Sequence, residues 1–449
     1  MQLQAWLEAK GAKGLAHLAL EDFPETGRGV KTLRPLKAGD ELLTIPGAVL
    51  WTADAAAADP LLGPVLRTLN PPLSIEETLA LFLLFVKSRE AENEERILHT
   101  KVLPVRYTST VFFEDDELEI CAGSSLYGIT KQLKQQIKED FSQILERLFI
   151  KHPELFPLNE FTLEEYTWAL CTVWSRAMDF HLPGDKQLRF IAPFADMLNH
   201  SLDVKTCHIY DQQANTLRVV AGKDYNAGDQ VFINYGLVPN NRLLRLYGFV
   251  LPSNPNDSYD LVLTTHPLAA LYAQKVALFI AAGLDVTSTI PLTLVDPLPD
   301  KVLQYLRIQR LTGEELAVAA RPTKAAGPVT ARNEGEVLSA LTEAFASLLE
   351  GFPISAEELG RRIDQGEYAP GGNAWAAAVV SIGEQRVLEA ALRRAKERLA
   401  LVACANCGKV TEGNKRCGKC KKVVYCGVKC QREHHKEHKI VCKPSQEEA

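Results

Sequence analysis

Eight soft ligands crowd the end of this 449-residue chain: Cys404-x2-Cys407, Cys417-x2-Cys420, Cys426-x3-Cys430 and His438-x3-Cys442. A C-x2-C turn brings two sulfurs within reach of one ion, and an i, i+4 pair does the same on one helix face. Four such pairs suffice for two tetrahedral zinc sites, with His434 and His435 as rivals to His438. Upstream, two polar segments could serve catalysis. Asn199 and His200 follow the apolar run Phe190, Ile191, Phe194, Met197 and Leu198, so they arrive at the edge of a core. Tyr235 stands between the strand-like Gln230-Val231-Phe232-Ile233 and Gly236, which is free to take an unusual backbone angle. Each of these two segments, taken alone, fits a core or turn element as readily as a site.

Composition narrows the class. With 46% hydrophobic and 24% charged residues the chain has an ordinary soluble globular make-up, and its length suggests about three domains. The longest apolar run, Leu79 to Val86, is far short of a membrane span, so no membrane partner is expected. The N-terminus shows neither a secretory signal nor an Arg- and Ser-rich presequence. Seven of the ten cysteines lie between Cys404 and Cys442, which points to metal in a reducing compartment, cytoplasmic or nuclear, and not to a disulfide framework. Ten Lys and Arg face three Glu in that segment, giving +7 against −13 for the rest of the −6 total. Seven thiolates and two zinc ions would leave the segment near +4. No base-reading helix spacing accompanies this charge, so nucleic acid is not expected as a partner.

The elements that must position these residues follow in order. Residues 14–50 read as short strands, namely Gly14 to Leu20, Arg28 to Leu33 and Glu41 to Pro46, with Gly27-Arg28-Gly29 opening the second. Ser74-Ile75-Glu76-Glu77 is a capping box before the helix through Leu79 to Val86, which is apolar nearly all round and hence buried. Leu133, Ile137, Phe141, Ile144, Leu145 and Leu148 form one helical stripe. Thr162 to Glu165 caps a helix running to about Phe180, with Ser175-Arg176-Ala177-Met178 in its last turn. Residues 254–400 read as all helix: Leu268 to Ala282, Lys301 to Leu311, Glu334 to Leu349, Ser355 to Ile363 and Gly383 to Val402. Thr323 to Gly335 and Gly366 to Asn373 read as flexible connections.

Asn199-His200-Ser201, the turn Ala227-Gly228-Asp229, Ile233-Asn234-Tyr235-Gly236 and Leu246-Tyr247-Gly248-Phe249, in that order, resemble the SET-domain methyltransferases. The resemblance is to the branch containing the Rubisco large-subunit lysine methyltransferase. Tyr425-Cys426 and Gln431 make the cysteine-rich end look like a MYND finger. The fold class this implies is α+β. A β-rich SET domain (1–252) with a pseudoknot and a helical insertion (about 52–165) precedes an all-α substrate-binding-like domain (253–402), a zinc-stapled finger (403–442) and a tail (443–449).

The resemblance also implies S-adenosylmethionine as cofactor, held by Gly27, Arg28, Gly29, Arg176, Asn199, His200 and Tyr235, with Tyr235 catalytic. Asp196, Tyr210 and Tyr247 are the substrate side. Zinc ligation is interleaved by the same resemblance: Cys404, Cys407, Cys426 and Cys430 on one ion, Cys417, Cys420, His438 and Cys442 on the other. Met178 stands where this branch usually has Phe, and His435 where many MYND fingers carry Trp. The expected activity is methylation of a lysine on a non-histone protein. Its alternatives are a protein-histidine methyltransferase and an inactive scaffold whose finger recruits a protein partner.

Overall fold

The structure, a computed structural model, describes residues 2–89, 94–184, 186–205, 207–319 and 327–443. The tail beyond 443 and residues 323–326 of the expected Thr323 to Gly335 connection lie outside the described residues. The chain divides into two compact units. The first holds residues 1–113, 129–238 and 242–249, and the second holds 114–128, 239–241 and 250–449. The boundary therefore differs from a single break at 252. Residues 114–128, expected within the insertion of the first domain, pack with the C-terminal half, and so does the cysteine-rich end.

Among the described residues, the first unit contains nine short strands: β1 (Leu18–Phe23), β2 (Gly27–Thr32), β3 (Glu41–Pro46), β4 (Ala177–Leu182), β5 (Lys186–Ile191), β6 (Asn199–His200), β7 (His208–Asp211), β8 (Thr216–Val220) and β9 (Gln230–Ile233). They form sheets ordered β1-β2-β9-β6 and β3-β8-β7, plus the hairpin β4-β5. The decisive pairing is the parallel one between β6 and β9, which sets Asn199 beside Phe232 and His200 beside Ile233. Two segments more than thirty residues apart in sequence thus run side by side, as the expected threading requires.

Local sequence chemistry explains much of the helical framework. Ser74 Oγ accepts from Glu77 N at 3.2 Å and Glu77 Oε2 accepts from Ser74 N at 2.7 Å, completing the capping box. The helix it starts, Ile75–Ser88, buries every residue from Leu79 to Val86. The helix Leu163–Arg176 is capped by Thr162 and stops at Arg176, four residues earlier than expected. Ala177 is extended there, because β4 pairs with β5 and stacks Phe180 on Phe190 with centroids 5.4 Å apart. The first strand is also displaced. Gly14 turns at φ +88 into a short helical turn at Leu15–His17, so the strand starts at Leu18. A helix, Gln2–Ala9, precedes it.

The second unit is mainly helical but not all-α. Its strands β10 (Ser258–Thr264) and β11 (Thr287–Thr293) form an antiparallel hairpin. Tyr259, Leu261, Ile290 and Leu292 are buried in its core beside helices Asp300–Gln309, Ala331–Glu350 and Asn373–Leu399. Ala331–Glu350 starts three residues before the expected Glu334, because Thr330 Oγ1 caps Asn333 N at 3.0 Å. Asn373–Leu399 begins ten residues before the expected Gly383. The unit also contains the finger hairpin, β12 (Lys415–Arg416) with β13 (Val424–Tyr425), and its helix Val428–Val441. Among the described residues no helix is long and apolar enough to cross a membrane.

Candidate active site and metal centres

The parallel pairing of β6 with β9 delivers Tyr235 to His200. Tyr235 N donates to His200 Nδ1 at 3.0 Å, and the two rings stack with centroids 5.0 Å apart. An imidazole accepting at Nδ1 carries its proton on Nε2, and burial lowers the His200 pKa, so the ring is neutral. Tyr247 stacks on the other face of Tyr235 at 4.9 Å. Gly236, at φ +107, lets the chain turn away immediately after the tyrosine. Asn234 braces this corner by donating to Val204 O at 2.9 Å and accepting from Gly236 N at 2.7 Å.

The Tyr235 hydroxyl donates to Leu198 O at 2.8 Å. Its one proton is spent there, which leaves the oxygen lone pairs as acceptors. Burial raises the Tyr235 pKa far above 10, partly offset by Arg176, so the phenol stays neutral at any working pH. Tyr235, Tyr247, Met178, Asp179, His208 and Arg176 line a cavity of about 190 Å³. Burial also lowers the His208 pKa, and its Nδ1 has no hydrogen-bond partner among the described residues.

Arg176 is held by four groups, one of them Met197 Sδ at 3.3 Å from Nη1. Its Nη1 donates to Asp196 O at 2.9 Å and to Asp196 Oδ2 at 3.2 Å, and Nε donates to Tyr107 Oη at 3.3 Å. His99 reaches the same Asp196 oxygen at 3.1 Å. Burial alone would raise the Asp196 carboxyl, but His99 and Arg176 outweigh it and hold it below the usual carboxylate range. Asp196 was expected on the substrate side. Its side chain is fully buried and its Oδ2 is taken by these two partners, so it positions Arg176, while it also lines the Tyr235 cavity with Oδ1 left without a hydrogen-bond partner among the described residues.

Tyr210 is also displaced from its expected place. It packs against Phe180 and Phe190 at 5.9 and 5.5 Å, its hydroxyl is bonded to Asn215 Oδ1, and it is not on the cavity wall. His208, two residues earlier on the same face of β7, is there instead. That period-2 relation was the available signal for His208. His99, buried, and Tyr107, half-buried, both from the helical insertion, had none.

On the other side of β9 lies the glycine segment. Asn199 Nδ2 donates to Arg28 O at 3.0 Å and Thr26 O at 3.3 Å. A Cβ on Gly29 would come within 2.2 Å of Gln230 Nε2 and 2.9 Å of Asn199 Nδ2, so only glycine allows this approach. Arg28 points elsewhere, donating to Val102 O at 2.9 Å. Gln230 Nε2 and His200 Nε2 are buried donors with no partner among the described residues. Unanswered donors beside a glycine-lined strand fit a polar cofactor such as S-adenosylmethionine.

The metal ligands fall into the two interleaved groups. Cys404, Cys407, Cys426 and Cys430 form one, Cys417, Cys420, His438 and Cys442 the other, with the ligand atoms of each within 4.8 Å of one another. Sulfur separations of 3.6, 3.5 and 3.9 Å (Cys407–Cys426, Cys426–Cys430, Cys417–Cys442) match the edge of about 3.8 Å for a tetrahedron with metal–sulfur bonds of about 2.3 Å. His438 Nε2 is 3.4 Å from both Cys417 and Cys420. His434 is not a ligand, since its Nδ1 bonds the Tyr425 hydroxyl at 3.0 Å. Backbone N–H groups outweigh burial at Cys404 and hold its thiol down at about 6, ready to bind as thiolate. The chemistry and spacing of both sets fit zinc.

Comparison with known proteins agrees with this geometry. The SET domain family model matches residues 27–236, that of Rubisco LSMT substrate-binding matches 266–388, and that of the MYND finger matches 404–442. The chloroplastic Rubisco large-subunit N-methyltransferase of Nicotiana tabacum is 28% identical over 383 residues, 81% of this chain and 74% of that one. The chloroplastic fructose-bisphosphate aldolase-lysine N-methyltransferase of Arabidopsis thaliana is 28% identical over 86% of this chain and 80% of its own length. The human actin-histidine N-methyltransferase is 25% identical over 88% and 68%. In structure, the SET domain of LSMT bound to lysine and AdoHcy superposes with a TM-score of 0.78 at 24% identity, covering 88% of this chain and 90% of that one. With a SET domain, an LSMT-type substrate-binding domain and a MYND finger in succession, and LSMT-like enzymes as its homologues, the chain is a SET-domain protein methyltransferase with a C-terminal MYND finger.

Proposed function

We propose that this methyltransferase acts on a lysine side chain of a non-histone protein, with Tyr235 as the catalytic residue. One observation carries the assignment: a phenol kept neutral by burial, its proton spent on Leu198 O, with its lone pairs left to accept. Bound S-adenosylmethionine supplies an electrophilic methyl group on a sulfonium. Gly27, Gly29, Asn199 and His200 hold it from the β2–β9 side, and Arg28 contributes its backbone. An amine N–H donating to Tyr235 Oη points the nitrogen lone pair along one line, and Tyr247 and Met178 wall the approach.

The amine must arrive neutral. A free lysine of pKa ~10.4 is neutral in about one molecule in 2,500 at pH 7, a cost near ~4.6 kcal/mol. Removing the amine from water as it reaches the buried Tyr235 lowers that cost by disfavouring the ammonium. Tyr235 is uncharged at neutral pH and so does not hold the amine as ammonium.

Lysine is favoured by the two relatives at 28% identity, one of them a Rubisco large-subunit N-methyltransferase and the other named for aldolase lysine. Histidine is the second reading, supported by the actin-histidine relatives and by Met178 on the cavity wall. The relatives' named targets, Rubisco, aldolase and actin, support a non-histone substrate. A cytoplasmic or nuclear location suits ten cysteines that form no disulfide, and the finger is a docking module for a protein partner. Incubation of the purified protein with labelled cofactor and cell extract, read by mass spectrometry, tests the assignment. Label on lysine is expected, and label on histidine alone would replace the first reading by the second.

A further inference from the structure

Every charged group on the cavity wall but one is largely shielded from solvent. Arg176 and Asp196 neutralise each other, and burial keeps His208 uncharged. Asp179 is the exception, a carboxylate that lines the cavity with 57% of its side chain exposed. It marks the solvent end of the same space that Tyr235 lines.

Its orientation is fixed. Asp179 on β4 lies opposite Arg189 on β5. Arg189 Nε donates to Asp179 Oδ1 at 2.7 Å and Nη2 to Oδ2 at 2.8 Å, a two-pronged grip from one edge of the carboxylate. The remaining Arg189 nitrogen, Nη1, is taken by Glu76, whose other oxygen accepts from Trp174 Nε1 at 3.1 Å. Two carboxylates thus share one guanidinium, and the trio carries a formal charge of −1. Arg189 is 28% exposed and lies off the cavity wall, so the negative member faces the entrance.

We propose that Asp179, aimed by Arg189, is a specificity-determining residue that receives the target side chain as a cation at the cavity mouth. The inference rests on the lysine reading above and deepens it. Lysine reaches the mouth as an ammonium, whereas histidine at pH 8 arrives neutral. At this exposed end the ammonium gives its proton to water, and the neutral amine advances to Tyr235. The carboxylate therefore selects lysine over histidine by charge, and because it is exposed it holds the ammonium weakly enough to release it.

The test is an NMR titration of the full chain, loaded with S-adenosylhomocysteine, with Nα-acetyl-lysine amide and Nα-acetyl-histidine amide at pH 8, at low and high salt. Wild-type protein is expected to prefer the lysine probe, with affinity falling as salt rises. Asp179→Asn should weaken the lysine probe about fivefold, remove most of that salt dependence and leave the histidine probe unchanged. Asp179→Glu, which keeps the charge, should restore the lysine preference. Equal lysine affinity in wild type and Asp179→Asn, or equal weakening of both probes, would overturn the proposal while leaving the lysine reading in place. Wild-type protein that binds the histidine probe alone, or neither probe, would overturn the lysine reading and this proposal with it.

Discussion

At the scale of single residues, the active-site chemistry rests on groups kept uncharged and on one buried charge pair. His200 accepts from the Tyr235 backbone, Tyr235 donates to Leu198, and Asp196 ties His99 to Arg176. Outside the site, a different carboxylate makes stability depend on pH. Burial pushes the Asp257 carboxyl up to about 6, only partly offset by the Asn240 donors at 2.9 and 3.3 Å. The folded chain therefore keeps a proton that the unfolded chain releases near pH 4. Stability contributed by the protonated form is present below about pH 4 and is lost as pH rises to 6, by up to about 3 kcal/mol. Asp257→Asn should flatten the denaturation midpoint between pH 4 and 6. A variant whose midpoint still falls over that range as in wild type would place the titration elsewhere.

At the scale of elements, the glycine segment at the start of β2 and its neighbours β6 and β9 form the cofactor side. Gly29→Ala should drive the new methyl into Gln230 and Asn199. Cofactor affinity is expected to fall at least about tenfold with the fold retained, since both neighbours are side-chain amides that can shift. Calorimetric titration checks this, and unchanged affinity would remove β2 from the cofactor site. Elements governed by local chemistry were legible in the sequence. The Ser74 box, the Thr162 cap and the buried run from Leu79 to Val86 are written in adjacent residues. Elements that depend on distant partners were not. Helix Leu163–Arg176 ends where β5 captures β4, and residues 258–264 are a strand because residues 287–293 pair with them. The alternation of Tyr259, Leu261, Ile290 and Leu292 was a readable period-2 signal. The site shows the same division. Asn199, His200 and Tyr235 stand in compact motifs, whereas His99 and Tyr107 join it from 97 and 69 residues away and only through tertiary packing.

At the scale of the whole molecule, the cysteine-rich finger folds with the C-terminal unit. Glu412 accepts from Ala331 N at 2.7 Å, at the start of helix Ala331–Glu350, and Gly335 of that helix leaves room for Val410. About forty residues cannot bury a sufficient core, so the two metal clusters hold the finger, each structural zinc contributing an apparent ~10–16 kcal/mol to folding. Elemental analysis should find two zinc ions per chain, and chelation should lower the melting temperature. Cofactor affinity should change less than about twofold, because the residues assigned to the cofactor belong to the other unit. Loss of cofactor binding on chelation would contradict that separation.

The most direct measurement is the single-turnover rate of methyl transfer by Tyr235→Phe against wild type, with cofactor affinity measured on the same samples. The ring stack with His200 and Tyr247 survives the substitution, so affinity should change less than about tenfold. The oxygen that receives the amine N–H is lost, so the rate and kcat/KM should fall together by about 100-fold or more. Tyr210→Phe, whose hydroxyl bonds Asn215 and lies off the cavity, serves as the control and should stay within about threefold of wild type. A Tyr235→Phe enzyme that transfers methyl groups at the wild-type rate would contradict the catalytic assignment and turn attention to Tyr247.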